Sequence, residues 1–217
     1  MDILKLILDF VLHIDKHLVA ITQQYGNLTY VLLFIILFCE TGLVILPFLP
    51  GDSLLFAAGS LAAIGSLNIW VLLVVSIIAA FVGDTVNYWI GHFFGAKLFE
   101  KDRGFVKKEY LKKAEAFYDK HGVFAIVLAR FVPIVRTFAP CVAGISKMKY
   151  SHFMIYNFVG GTLWVSLFLL AGHFFGNIPI VKEHFEVVIV VILAISIVPI
   201  ALEFLKAKMV SEETPAK

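Results

Sequence analysis

Charged side chains are what this 217-residue sequence has least of. Asp, Glu, Lys and Arg make up 16% of it against 60% hydrophobic residues, and between Lys16 and Lys97 the only charges are Glu40, Asp52 and Asp84. A soluble domain carries about a quarter of its residues as charges, so the scarcity excludes that class. Cysteine is nearly absent as well: Cys39 and Cys141 stand alone in apolar surroundings, which leaves no disulfide framework and no Cys/His metal spacing, and both read as small buried residues. His13 and His17 lie one turn apart after Asp9, and we read them as a polar stripe on an interfacial helix rather than as metal ligands. A net charge of +2 with no basic array interleaved with aromatics speaks against nucleic acid. No nucleophile with a partner base is recognisable, so neither an enzyme nor a cofactor is expected. The N-terminus lacks the basic segment and small-residue cleavage site of a secretory signal, with Asp2, Asp9 and Asp15 scattered through it, and residues 1–24 are read as a retained amphipathic or membrane helix.

What the chain has in place of charge is apolar length. Mean hydropathy is +0.92, and several runs approach the roughly 20 apolar residues needed to cross a bilayer. One membrane domain over residues 1–217 follows. Eight of its 18 Lys and Arg residues fall in one connector, residues 97–120, which the positive-inside rule places in the cytoplasm as an amphipathic interfacial helix. The tail, residues 206–217, is assigned to the same side, preceded by spans at 153–175 and 185–205. Lys147 and Lys149 then mark a cytoplasmic loop, and the interval 121–146 is too short for two crossings. It is expected to enter and leave by one face as a re-entrant hairpin broken at Pro133 and Pro140.

Residues 28–64 show the same pattern, interrupted at Pro47, Pro50 and Gly51 and followed by a span at 67–94. A shift of 90 residues lays Glu40 on Arg130 and Pro50 on Pro140, Phe81-Val-Gly-Asp-Thr85 answers Phe158-Val-Gly-Gly-Thr162, and Gly91-His-Phe-Phe-Gly95 recurs as Gly172-His-Phe-Phe-Gly176. The fold expected is therefore an all-α polytopic membrane protein of two inverted repeats, each a re-entrant helical hairpin followed by a transmembrane helix, with a C-terminal transmembrane helix added.

Each charge at the bilayer centre costs roughly 2.5–3.5 kcal/mol, so five of them must pair or line water. The first half supplies only acids, Glu40, Asp52 and Asp84, and the second hairpin only bases, Arg130 and Arg136. They could merely staple the hairpins together. Their types suggest more, because guanidinium groups suit a phosphate oxyanion and carboxylates can load a proton where arginine cannot. For Asp84, a local helix pair with Asn87 competes with a place on a proton path.

Glu40-x-Gly42, Pro47-x-x-Pro50-Gly-Asp52 and Ala129-Arg-Phe-x-Pro-x-x-Arg-Thr-x-x-Pro140-x-x-Ala-Gly144 resemble the signature of the DedA membrane proteins, also called the SNARE-associated Golgi protein or VTT family. The likeness runs over nearly the whole chain, and its opening is similar to that of the family's founding member. It implies a bacterial inner-membrane protein with two opposed re-entrant hairpins, a link to envelope homeostasis and the proton motive force, and flipping of undecaprenyl phosphate, with phospholipid scrambling in eukaryotic relatives. The family's acids fall on Glu40 and Asp52 and its arginines on Arg130 and Arg136; Asp84 lies outside the signature. The expected partners are a polyprenyl phosphate or phospholipid and protons, with a homo-oligomer among the open oligomeric states. A proton-coupled antiporter of small cations or drugs is the alternative, and an intramembrane aspartyl enzyme using Gly51-Asp52 and Gly83-Asp84 a remote one.

Overall fold

The computed structural model describes residues 14–43, 51–98, 122–184, 187–188 and 190–192, and every described element is helical. Helix α1 spans Ile14–Tyr25 and α2 spans Leu28–Gly42. After an eight-residue interval, α3 runs over Gly51–Ala63. Asn68 then caps α4, Ile69–Leu98, its Oδ1 accepting the Trp70 and Val71 backbone N–H groups at 2.9 and 3.3 Å. In the second half a 3-10 turn at Gly122–Phe124 leads into α5, Ala125–Ala129, and then into α6, Pro133–Ile145. Helix α7 spans Tyr150–Phe175, and the short α8 spans Pro179–Glu183. The connector at 97–120, the span at 185–205, the tail, His13, Pro47 and Pro50 lie wholly or largely outside the described residues.

Two segments, Ile69–Phe94 and Tyr150–Phe175, are long and apolar enough to cross a membrane. Each has 26 residues, about 39 Å of helix against a hydrocarbon core of about 30 Å. Only 33% and 39% of their most apolar windows are buried, so they turn Trp70, Val74, Ile78, Ile155, Leu163 and Leu167 outward. Core helices of a soluble protein would hide such residues; in lipid they are at home. The buried elements are instead α3, enclosed over nearly its whole length, and α6, whose Thr137–Gly144 face is covered.

Packing between the halves is reciprocal. Helix α2 lies on α4 and α5 on α7, within each half, whereas α3 crosses to α7 and α6 crosses to α4. Both crossings depend on paired glycines. A Cβ on Gly91 would collide with the Cys141 backbone, and one on Gly144 with the Tyr88 and His92 backbone; a Cβ on Gly172 would collide with Phe56, and one on Gly59 with Leu169 and His173. Both contacts use the repeated Gly-His-Phe-Phe-Gly segment in the same register. Gly59 thus answers Gly144, a shift of 85 rather than 90. The difference of five is the difference between the eight residues separating α2 from α3 and the three separating α5 from α6.

One expected break is corrected. Pro133 opens α6 as its first residue, preceded by extended Val132 (φ −115°, ψ 105°), as a proline demands of its neighbour. Pro140 lies inside α6 and does not interrupt it. A proline forfeits one ladder bond, and α6, buried here against α4, retains its helical path.

Helices α3 and α6 end alike. Gly65 (φ 79°) closes α3 through Gly65 N–H to Ala62 O and Ser66 N–H to Leu61 O; Lys147 (φ 53°) closes α6 through Lys147 N–H to Gly144 O and Met148 N–H to Ala143 O. A lysine holds the left-handed position that glycine occupies in the first half, at a cost of about 1–2 kcal/mol. Lys147→Gly is expected to stabilise the protein by about 1 kcal/mol and Gly65→Ala to destabilise it by a similar amount. Unfolding in detergent, followed by denaturant or heat, checks both; unchanged midpoints would refute the strain.

Candidate functional site

The site forms where the two helix breaks meet the long helices. Glu40 sits in the last turn of α2, Asp52 in the first turn of α3 and Asp84 midway along α4. Arg130 follows α5 at the second break, and Arg136 lies in the first turn of α6. The long range of their pairings places all five together. Arg136 spreads its fork over both acids of the first half, Nη1 to Asp52 Oδ1 at 2.8 Å and Nη2 to Glu40 Oε1 at 2.5 Å. Arg130 Nη2 bonds Asp84 Oδ2 and also donates to Asn157 Oδ1 at 2.6 Å. Glu40, Asp52, Asp84 and Arg130 are each at least 93% buried.

Neighbouring residues hold this arrangement. Trp164 on α7 donates its indole N–H to Asp52 Oδ1 at 2.8 Å, and its ring faces both guanidinium carbons at 5.8 and 5.6 Å. Asn157 Nδ2 donates to Phe81 O, tying α7 to α4 beside Arg130. Asn87 donates to Thr41 O and Thr137 O, clasping the end of α2 and the start of α6. Asp84 therefore pairs with Arg130, and the local Asp84–Asn87 alternative is not what the fold uses. Missing side chains matter equally: Arg130 passes beside Gly160 and Gly161, and a Cβ on Gly51 would strike the Glu40 carboxylate. Gly161 occupies the repeat position of Asp84, so the second half is empty where the first half is acidic.

A cavity of about 20 Å³ is lined by Glu40, Thr41, Asp84, Arg130, Arg136, Thr137 and Trp164. That is space for about one water molecule and too little for a phosphate group. Of the expected site residues, the structure brings Glu40, Asp52, Asp84, Arg130 and Arg136 together. Gly51 and Pro133 start the helices carrying Asp52 and Arg136, while Pro140 lies further along α6. Among the described residues no cluster of His, Cys, Asp and Glu could hold a metal ion. Asn157 and Trp164 were not anticipated. Asn157 had a signal, an amide in an apolar span, whereas Trp164 had none.

Removing one member of a buried pair costs more than removing both. Arg130→Gln, which strands Asp84, is expected to destabilise the protein by about 3–5 kcal/mol. Asp84→Asn/Arg130→Gln should recover a large part of that loss in the same unfolding measurement. A double variant no more stable than Arg130→Gln alone would contradict the pairing.

The VTT domain profile matches residues 49–174. Protein DedA of Escherichia coli K12 is 52% identical over 211 residues, covering 96% of each chain. An uncharacterized membrane protein of Mycobacterium tuberculosis H37Rv is 42% identical over 81% of this chain and 78% of its own. The inner membrane protein YghB of Escherichia coli K12 is 34% identical over 89% of this chain and 84% of its own. No solved structure matches.

Proposed function

The chain belongs to the VTT-domain, or DedA, family of membrane proteins, and from that premise we propose that it translocates a lipid phosphate across the inner membrane in response to the proton motive force. Undecaprenyl phosphate is the substrate that the family resemblance suggests. The observation carrying this reading is the Arg136 fork, shared between two carboxylates of the opposite half. A phosphate oxyanion binds the same planar donors, so it competes with Glu40 and Asp52 for Arg136. Protonating those acids weakens their hold and frees the fork. Proton and phosphate binding then favour each other, which makes the two travel in the same direction. Because the cavity holds about one water, phosphate entry also requires an ion pair to open.

In this reading the breaks at 43–50 and 130–132 are the tips of re-entrant hairpins in inverted repeats, and the polyprenyl tail stays in lipid while the headgroup passes between them. The reciprocal arm exchange and the repeated glycine register support it. Arg130 and Arg136 hold the headgroup; Glu40, Asp52 and Asp84 couple protons. An aspartyl-enzyme reading lacks support, since Asp52 and Asp84 bind different arginines.

The test is transport in proteoliposomes, read as the accessibility of a polyprenyl phosphate headgroup to an impermeant phosphatase, with and without a proton gradient. Arg130→Lys and Arg136→Lys retain the charge and lose the fork, so each should lower transport at least about tenfold at unchanged protein level. Full activity of both would make the arginines simple counter-ions and favour the cation antiporter.

Topology supplies a separate check. Single cysteines placed near Lys113 and near Lys147, in a chain lacking Cys39 and Cys141, should both be labelled only from the cytoplasm. Labelling from opposite sides would mean that residues 121–146 cross the membrane.

A further inference from the structure

The buried cluster does not balance. Among the described residues it contains three carboxylates, Glu40, Asp52 and Asp84, and two guanidinium groups, Arg130 and Arg136, and the sequence of the undescribed interval 44–50 carries no ionisable side chain. With every group ionised, the described members of the cluster carry one negative charge more than they compensate. Such a charge is neutralised by a bound cation or by a proton on one of the acids.

Geometry distinguishes the three acids. Asp52 Oδ1 accepts two donors, Arg136 Nη1 and Trp164 Nε1, and lies in the first turn of α3, where the helix dipole favours negative charge. Asp84 has Arg130 to itself, and Arg130 is oriented by Asn157. Glu40 has neither advantage. It stands in the last turn of α2, at the negative end of that dipole, and shares Arg136 with Asp52. Its Oε2 is buried without a side-chain partner, and among the described residues the Gly51 backbone is the one further donor to this carboxylate besides Arg136. The charges facing it are Asp52 from α3, Asp84 from α4, Arg130 from the second break and Arg136 from α6.

We propose that the cluster in this conformation holds one proton, on Glu40 Oε2, while Asp52 and Asp84 stay ionised beside Arg136 and Arg130. The bond formed is O–H on the carboxylate, and on discharge the proton leaves to water while Glu40 becomes the second anion on Arg136. Trp164 serves as a positioning residue, since its N–H helps keep Asp52 ionised and so directs the proton to Glu40. As the site of coupling, Glu40 rests on the transport reading above; the charge count does not.

Infrared spectroscopy of the purified parent protein in lipid nanodiscs tests this without any substitution. At neutral pH a protonated carboxylic acid band is expected that shifts on ¹³C-carboxyl labelling of glutamate and not of aspartate. Glu40→Gln should abolish it. Asp84→Asn removes the surplus negative charge and should also lose most of the band, because Glu40 then ionises. A band that follows labelled aspartate overturns the assignment, as does a band undiminished by Asp84→Asn. A band present only in sodium-free medium, or no band at all, would mean that a bound cation supplies the missing charge. Proteoliposome transport measured in parallel separates the two ideas: the glutamate band without lipid-phosphate transport sinks the transport reading alone, and transport without that band sinks the proton assignment alone.

Discussion

Five charged side chains buried among membrane helices constrain everything else in this molecule. No half can satisfy its own, because the first supplies Glu40, Asp52 and Asp84 while the second supplies Arg130 and Arg136. Neutralisation therefore requires the halves to meet, and they meet at the helix breaks. Breaking a helix frees backbone groups that lipid cannot satisfy, so such breaks are tolerated where protein or water meets them. Helix α3 is enclosed by α7 and α6 packs on α4, which brings Asp52 and Arg136, at the starts of these helices, beside the other charges.

The glycine crossings and the ion pairs form one design. Close backbone approach at Gly59, Gly91, Gly144 and Gly172 seats α3 on α7 and α6 on α4, and these crossings carry Asp52 and Arg136 to each other. Trp164 then spans the result, with Asp52 on its N–H and both guanidinium groups over its ring. A site made this way leaves room for about one water, and its ion pairs must part before anything larger enters. Under the transport proposed above, a phosphate has to break these ion pairs to enter, whereas a proton does not.

Much of the site was legible because a charge in an apolar run has so few physical excuses. Glu40, Asp52, Asp84, Arg130 and Arg136 stood out for that reason, and the opposite signs of the two halves foretold their meeting. Pro140 misled, since proline is read as a helix breaker while tertiary burial decides the outcome. The shift between the halves is not uniform: it is 90 at the charges, 85 between Gly59 and Gly144, and 77 and 81 at the matched segments of α4 and α7. Trp164 was invisible because an indole in an apolar span is ordinary membrane composition, and only three-dimensional placement turns its N–H toward Asp52. Asp84 was ambiguous for a related reason, since spacing along a helix reveals a neighbour at Asn87 and says nothing of Arg130.

The wide sequence separation of the Arg136 pairs bears on how the protein is made. Arg136 lies 84 residues after Asp52 and 96 after Glu40. During translation both acids are synthesised and threaded toward the membrane long before their counter-ion leaves the ribosome. Until then they must stay hydrated or uncharged, with α3 still lacking the α7 surface that covers it. The Arg136 pairs and the α7 cover over α3 can therefore form only after Arg136 and Trp164 have been made.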